Sequence, residues 1–170
     1  MAGVKLTGKL LILLAFLWLG GERMLWYQKR CSLLSDLIGS VQIMISELTS
    51  RETDTVTLLR LAGEGERACA AFFLRCAEEA ERMEVGSFSC LWDRSLENAK
   101  LPLGDWERRL LSRAGQIIGR YDGREQARLL TALNCQLERC LVLAREEEKE
   151  RGKLALTLSC CAGLMLILLL

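Results

Sequence analysis

All 22 acidic residues of this chain lie between Glu22 and Glu150, and only Lys5 and Lys9 of the 23 basic residues fall outside Arg23–Lys153. The ends are nearly bare of charge, while the middle carries both signs in close balance. A chain partitioned in this way folds as a polar domain between two apolar terminal segments. The net charge is only +1, so no basic excess is available for a phosphate backbone and a nucleic-acid partner is not expected.

From Leu154 to Leu170 the sequence reads LALTLSCCAGLMLILLL, 17 residues without a charge. A membrane-spanning helix needs about 20 apolar residues, within a range of roughly 17–25. A soluble core helix of this length would need more polar positions than Thr157 and Ser159 supply. Residues 154–170 therefore read as a C-terminal membrane helix. The N-terminal run Leu10–Gly21, LLILLAFLWLGG, has 12 residues and follows Lys5 and Lys9 in the layout of a signal peptide. No small-residue cleavage site follows, because Gly20-Gly21-Glu22-Arg23 leads straight into charged sequence. Residues 4–21 thus read as an uncleaved membrane anchor, lengthened by snorkelling lysines and the Trp26/Tyr27 pair. A cleaved signal and an interfacial helix are the alternatives. Lys149, Arg151 and Lys153 flank the C-terminal segment, which by the positive-inside rule places residues 22–153 in the cytoplasm.

Between the anchors the apolar period is helical. Tyr27, Cys31, Leu34, Ile38, Val41, Ile45 and Leu48 recur at spacings of four and three, one face of a helix continuous with the first anchor. Thr53 or Asp54 caps a short helix carrying Val56, Leu58, Leu59 and Leu61 that stops at Gly63. Glu64–Glu84 reads as a helix with Ala68, Phe72, Cys76, Ala80 and Met83 on one face. Gly86-Ser87 breaks the chain, and Phe88–Lys100 presents Phe88, Leu91, Trp92 and Leu96. After Pro102, Asp105 caps a helix through Ile118 with Trp106, Leu110, Ala114 and Ile117 inward. Asp122 and Glu125 stand as a capping box at the start of a last helix. Its inner face is Gln126, Leu130, Leu133, Leu137, Cys140 and Ala144, and if unbroken to Leu170 it would be about 70 Å long at 1.5 Å per residue. The two long stripes are either core faces of one bundle or the seam of a parallel coiled coil between subunits.

The chain contains no histidine, which removes the usual general base, the Ser-His and Cys-His nucleophile systems and every His-containing zinc site. Of eight cysteines, six lie in the middle domain (Cys31, Cys69, Cys76, Cys90, Cys135, Cys140) and two in the C-terminal run (Cys160, Cys161). None forms a C-x-x-C pair, so they read as small buried hydrophobes rather than metal ligands. The acidic set Glu78, Glu79, Glu81 and Glu84 lacks the His partners of a di-iron site. Glu146-Glu147-Glu148 reads as part of a solvated helix pairing along itself with neighbouring bases. Gly115-x-x-x-Gly119 reads as close packing followed by a helix stop. No phosphate loop or nucleophile elbow is present. A non-enzyme without cofactor or metal is expected.

The stretch Leu111–Gln126, LSRAGQIIGRYDGREQ, followed by a leucine-rich helix with Gly163 in its tail, resembles the stage III sporulation protein AB family. The family pattern is approximately F-G-x-x-L-G-x-x-D-x-x-x-Q, and Gly115, Gly119, Asp122 and Gln126 match it in spacing. Ala114 stands in place of the aromatic and Ile118 in place of the leucine. Earlier in the chain the resemblance rests on Lys5, Gly8, Gly20, Glu47-Leu48 with Thr53, and Trp92 with Leu96. The family's Thr-Pro-Leu is absent, because Thr53 is followed by Asp54 and Thr55. The family-motif positions are therefore Trp92, Gly115, Gly119, Asp122, Gln126 and Gly163.

The residues by themselves give an all-α chain, an antiparallel helical bundle (residues 22–153) between two terminal membrane helices. The resemblance implies a membrane component of a transenvelope, secretion-like complex built in the mother-cell membrane facing the forespore during endospore formation. It further implies a helical domain similar to the cytoplasmic domains of type II secretion and type IV pilus platform proteins. The implied partners are other membrane components of that complex, membrane lipids and a cytoplasmic secretion-type ATPase. A membrane-tethered adaptor of an unrelated complex is the alternative. The flanking charges predict that a reporter fused near Lys100 is active only if it works in the cytoplasm; activity of an alkaline phosphatase fused there would overturn the orientation.

Overall fold

A computed structural model of the chain describes residues 2–51, 53–83 and 86–152 and, beyond them, Leu154, Thr157, Leu158, Cys161 and Met165; of the first 20 side chains it describes that of Trp18, and it leaves out those of 151 and 152. Six α-helices and no strand occur among the described residues: α1 Ala2–Ser50, α2 Thr55–Ala62, α3 Ala70–Glu81, α4 Phe88–Asn98, α5 Asp105–Ile117 and α6 Gly123–Glu147. A π-helical turn, Glu148–Gly152, follows α6, so the wider π geometry interrupts the uniform α-helix expected to run on from Asp122. The chain forms two compact units, Ser32–Leu141 and the pair of segments Met1–Cys31 and Val142–Leu170.

Ser32–Leu141 holds the core. The stripe on α1 is wider than one row, because Leu33, Leu37 and Met44 are buried beside Leu34, Ile38, Val41 and Leu48. On α6 the buried row is the expected one: Gln126, Leu130, Leu133, Leu137 and Cys140. Most of both stripes is buried within the chain. Between them α2 packs on α3, α3 on α4 and α4 on α5.

Side chains of α1 fasten the link from α2 to α3. Ser40, fully buried, donates its hydroxyl to the Ala62 carbonyl at 2.8 Å, and its Oγ lies 3.4 Å from Cys69 Sγ. The Asp36 carboxylate accepts from the Ala68 backbone N–H at 2.8 Å. At the start of α2, Asp54 accepts from Thr57 N at 3.0 Å, the N-cap bond that the sequence suggests.

Three helix boundaries and faces differ from the sequence reading. The helix expected over Glu64–Glu84 begins at Ala70 and ends at Glu81. Gly65 has φ +89° and turns the chain before it, so Ala68 lies outside the helix and exposed. Asp105 is the first helical residue rather than the cap. The cap position is Gly104, whose N–H is taken by the Glu107 carboxylate at 2.6 Å. Trp106, expected in the core, is 55% exposed, while Glu107, Leu110, Leu111, Ala114, Gly115 and Ile118 form the inward face. Anchoring Glu107 inside sets the helix rotation, and Trp106, about 100° before it, then falls outside the buried arc that runs from Leu110 through Glu107 to Gly115.

In the other unit, Arg30 pairs with Glu147 at 2.7 Å and lies over the Trp26 ring, 5.6 Å from its centroid. Glu147 therefore reaches across to α1, where pairing along its own helix was expected. Exposed apolar side chains gather in this unit: Trp18, Leu25, Val142, Leu143, Leu154, Leu158 and Met165. One described helical stretch, Gly21–Ser50, is long and apolar enough to cross a membrane by length and composition. Much of its apolar surface, however, is the core face of Ser32–Leu141, and a core helix passes the same test. The remainder of the expected C-terminal membrane helix, Gly163 included, lies outside the described residues, as do most side chains of the segment 4–21.

The cysteines divide, where uniform burial was expected. Cys31, Cys69, Cys76 and Cys140 are buried, whereas Cys90 and Cys135 are exposed. Burial pushes the Cys76 thiol up to about 12 and raises that of Cys69 as well. A neutral alkylating reagent at pH 8 should modify Cys90 and Cys135 in the folded protein and reach Cys69 and Cys76 only on unfolding; mass mapping of the labelled peptides checks this. A raised acid pKa also fixes the sign with pH. The contribution of Cys76 to stability is complete below its ordinary value of 9.0 and is lost as pH climbs toward about 12.

Candidate functional site

Five of the six family-motif positions meet at one corner, where α4 crosses α5 and α5 turns into α6. Trp92 on α4 is fully buried, and its indole N–H donates to the Leu111 carbonyl of α5 at 2.8 Å. The ring stacks edge-on to Phe72 and Phe73 of α3, with centroids 4.9 and 5.9 Å away. One turn beyond Leu111, Gly115 lies directly under the indole. A Cβ added there would stand 2.3 Å from Trp92 Cγ and 2.4 Å from Cδ1. The rigid ring cannot withdraw from such a contact, so only glycine fits. Gly115 and Trp92 are two halves of one packing contact.

The chain then leaves α5. Ile118 is extended and buried, and Gly119 takes φ +76°, the left-handed conformation that a glycine adopts at no steric cost. Asp122 caps α6, its carboxylate accepting from Glu125 N at 2.8 Å while its carbonyl accepts from Gln126 N at 2.9 Å. Gln126 closes the turn from inside. Its amide nitrogen donates to the Tyr121 carbonyl at 2.6 Å, and its amide oxygen accepts from Gly119 N at 3.4 Å. The chain between Gly119 and Gln126 is thus a loop tied at both ends by one buried side chain. Gly123 opens α6 against α1, with the Leu48 carbonyl 3.4 Å from where its Cβ would be.

Glu125 does not complete the expected capping box. Its carboxylate binds the Arg128 guanidinium at 2.6 and 2.8 Å, which holds the carboxyl below the usual range. A single helical turn brings Arg128 to the carboxylate with two donors, more than the one backbone N–H of Asp122 offers.

Every described motif residue here packs, turns or caps. Among the described residues no group of three or more His, Cys, Asp or Glu could hold a metal ion, and burial moves the Cys69 and Cys76 thiols further from the thiolate form. The sequence reading missed Ser40, Asp36 and Glu107. A serine on an apolar helix face between Gly39 and Val41, or a glutamate three residues after Gly104, were the available signals.

These features define an all-helical protein whose motif is an architectural corner. Its N-terminal helix includes a stretch apolar enough to cross a membrane. The chain belongs to the stage III sporulation protein AB family, whose sequence pattern matches residues 5–170. No curated protein and no solved structure matches it.

The corner makes two stability predictions. Gly115→Ala should destabilise the protein by about 1–3 kcal/mol, as overpacking does, and in a double-mutant cycle with Trp92→Ala its cost should largely vanish. Asp122→Ala should cost about 0.5–2 kcal/mol as a lost cap, whereas Glu125→Gln should leave the melting temperature almost unchanged. Thermal and urea unfolding of the four single variants and the Gly115→Ala/Trp92→Ala double variant read both effects.

Proposed function

We propose that this protein is a membrane-anchored structural platform component of a transenvelope, secretion-like complex used in endospore formation. In this reading residues 22–153 form an antiparallel helical bundle on the cytoplasmic face of the mother-cell membrane, held by segments 4–21 and 154–170. The protein supplies a rigid docking body and no chemistry, and the bundle engages a cytoplasmic secretion-type ATPase and other membrane components of the complex.

The observation that carries the reading is the corner. Its motif residues Trp92, Gly115, Gly119, Asp122 and Gln126 all serve to lock α4, α5 and α6 in one arrangement. Family membership supplies the sporulation context. The bare termini support the membrane reading, and the basic flank Lys149, Arg151 and Lys153 supports the orientation. Tethering by two anchors confines the bundle to a plane and raises its effective concentration for partners in that plane.

Complementation of a deletion strain tests the proposal. Removal of either terminal segment should abolish spore formation, while single Cys→Ser changes at positions 31, 69, 76, 90, 135 and 140 should preserve it. A secretion-type ATPase should co-purify with the full chain from detergent extracts. A Cys→Ser variant that is stable and membrane-located but inactive would shift the reading to an enzyme. Co-purification with other proteins and no such ATPase would shift it to an adaptor of an unrelated complex.

A further inference from the structure

The exposed face of α5 collects what the rest of the surface scatters. Trp106, Arg109, Arg113 and Gln116 recur at spacings of three and four and are all exposed, the reverse side of the helix from Leu111 and Gly115. Arg120 and Tyr121 follow in the turn, Tyr121 at 44% exposure, and Arg124, the second residue of α6, is also exposed. None of Arg109, Arg113, Arg120 and Arg124 makes an ion pair among the described residues; Arg109 lies over the Trp106 ring, 5.5 Å from its centroid. Arg60, Arg75 and Arg128, by contrast, are paired locally with Glu81, Glu79 and Glu125. The α5 face and the turn after it thus present an arginine-rich strip in which none of the four guanidiniums is ion-paired among the described residues, with Trp106 and Tyr121 exposed along it.

We infer that this strip is a docking surface for an acidic segment of a partner protein. Arginine forks bind carboxylates with two donors, and Trp, Tyr and Arg are the side chains that concentrate binding energy at protein interfaces. The strip is one helix wide and rimmed by carboxylates. Asp93, Glu97 and Asp105 line the adjoining groove between α4 and α5, and Asp122 precedes Arg124. Those acids repel an extended anionic surface, such as a phosphate backbone or lipid headgroups, that would lie over strip and rim alike. A short acidic segment, by contrast, can seat its carboxylates on the arginines and set basic or polar neighbours against the rim, which fixes register. The Trp92–Gly115 contact on the opposite side of α5 holds the strip rigid, so docking orders little besides the arginine side chains. The inference deepens the docking role proposed above, on which it rests, by naming the face and the chemistry of what binds it.

The test uses the full chain in its own membrane. A photo-crosslinking amino acid at Gln116, which leaves every charge in place, should give a discrete protein adduct in sporulating cells, with its linked peptide rich in Asp and Glu. Arg109→Glu with Arg113→Glu should reduce the adduct at least tenfold, and exchanging the partner's acidic residues for Lys should restore it. Arg109→Gln with Arg113→Gln should give an intermediate loss, and unchanged melting of both variants shows that the fold is intact. An adduct to lipid, to nucleic acid or to a second copy of this chain would overturn the inference, as would no adduct or one indifferent to charge reversal. If charge reversal leaves spore formation intact while removal of either terminal segment abolishes it, the strip assignment fails and the platform reading survives. If removal of both segments is tolerated, the platform reading itself fails.

Discussion

The indole of Trp92 resting on the bare backbone of Gly115 is the contact from which the arrangement of the middle domain follows. A buried tryptophan contributes a large apolar surface but needs a partner for its N–H, and the Leu111 carbonyl, one turn before Gly115, supplies it at 2.8 Å. Those two requirements fix both the separation and the rotation of α4 against α5. The other side of the same ring meets Phe72, Phe73 and Phe88, so α3 is registered by the same side chain. No flexible group takes part, and the contact tolerates neither a methyl group on Gly115 nor a smaller ring without leaving a void.

From that fixed point the chain must reverse into α6, and it does so with little freedom. Gly119 provides the left-handed step, Asp122 satisfies the first free N–H groups, and the Gln126 side chain bridges both strands of the turn. A buried glutamine whose amide has both a donor and an acceptor role filled is favourable where an unpaired one would be costly. The corner thereby carries the packing of the short helices into the long α6, whose opening residue meets the end of α1.

Charge is handled differently on the two sides of α5. Inside, Glu107 is 2% exposed and accepts from Gly104 N, giving the helix a start that no side chain at position 104 could provide. Outside, Arg109 and Arg113 make no ion pair among the described residues, and Arg109 lies over the Trp106 ring. The same rotation produces both results. Turning Glu107 inward turns Trp106, Arg109 and Arg113 outward, so the strip is a consequence of how the helix is capped and packed.

Much was written in the periodicity itself. The stripes on α1 and α6, the cap at Asp54, the stop at Gly63 and the spacing of Gly115, Gly119, Asp122 and Gln126 were legible because each depends on residues within one or two helical turns. The partition of charge likewise marked the apolar ends, because solvation depends on composition and needs no neighbour. What remained hidden depends on contacts distant in sequence. Whether Trp106 or Glu107 enters the core is decided by how α5 lies on α4, and a period of 3.6 cannot choose between adjacent rotations. Glu147 pairs with Arg30 rather than with its own helix because α1 brings a guanidinium within 2.7 Å. That Gly115 exists to admit Trp92, 23 positions earlier in the chain, is a fact of packing. The sequence by itself determined the helical character of the chain, the apolar faces of its longest helices and most of its turns, but not the start of α3 or the inward face of α5. The tertiary structure alone decided helix rotation, since only close packing of side chains from different helices distinguishes one angle from the next.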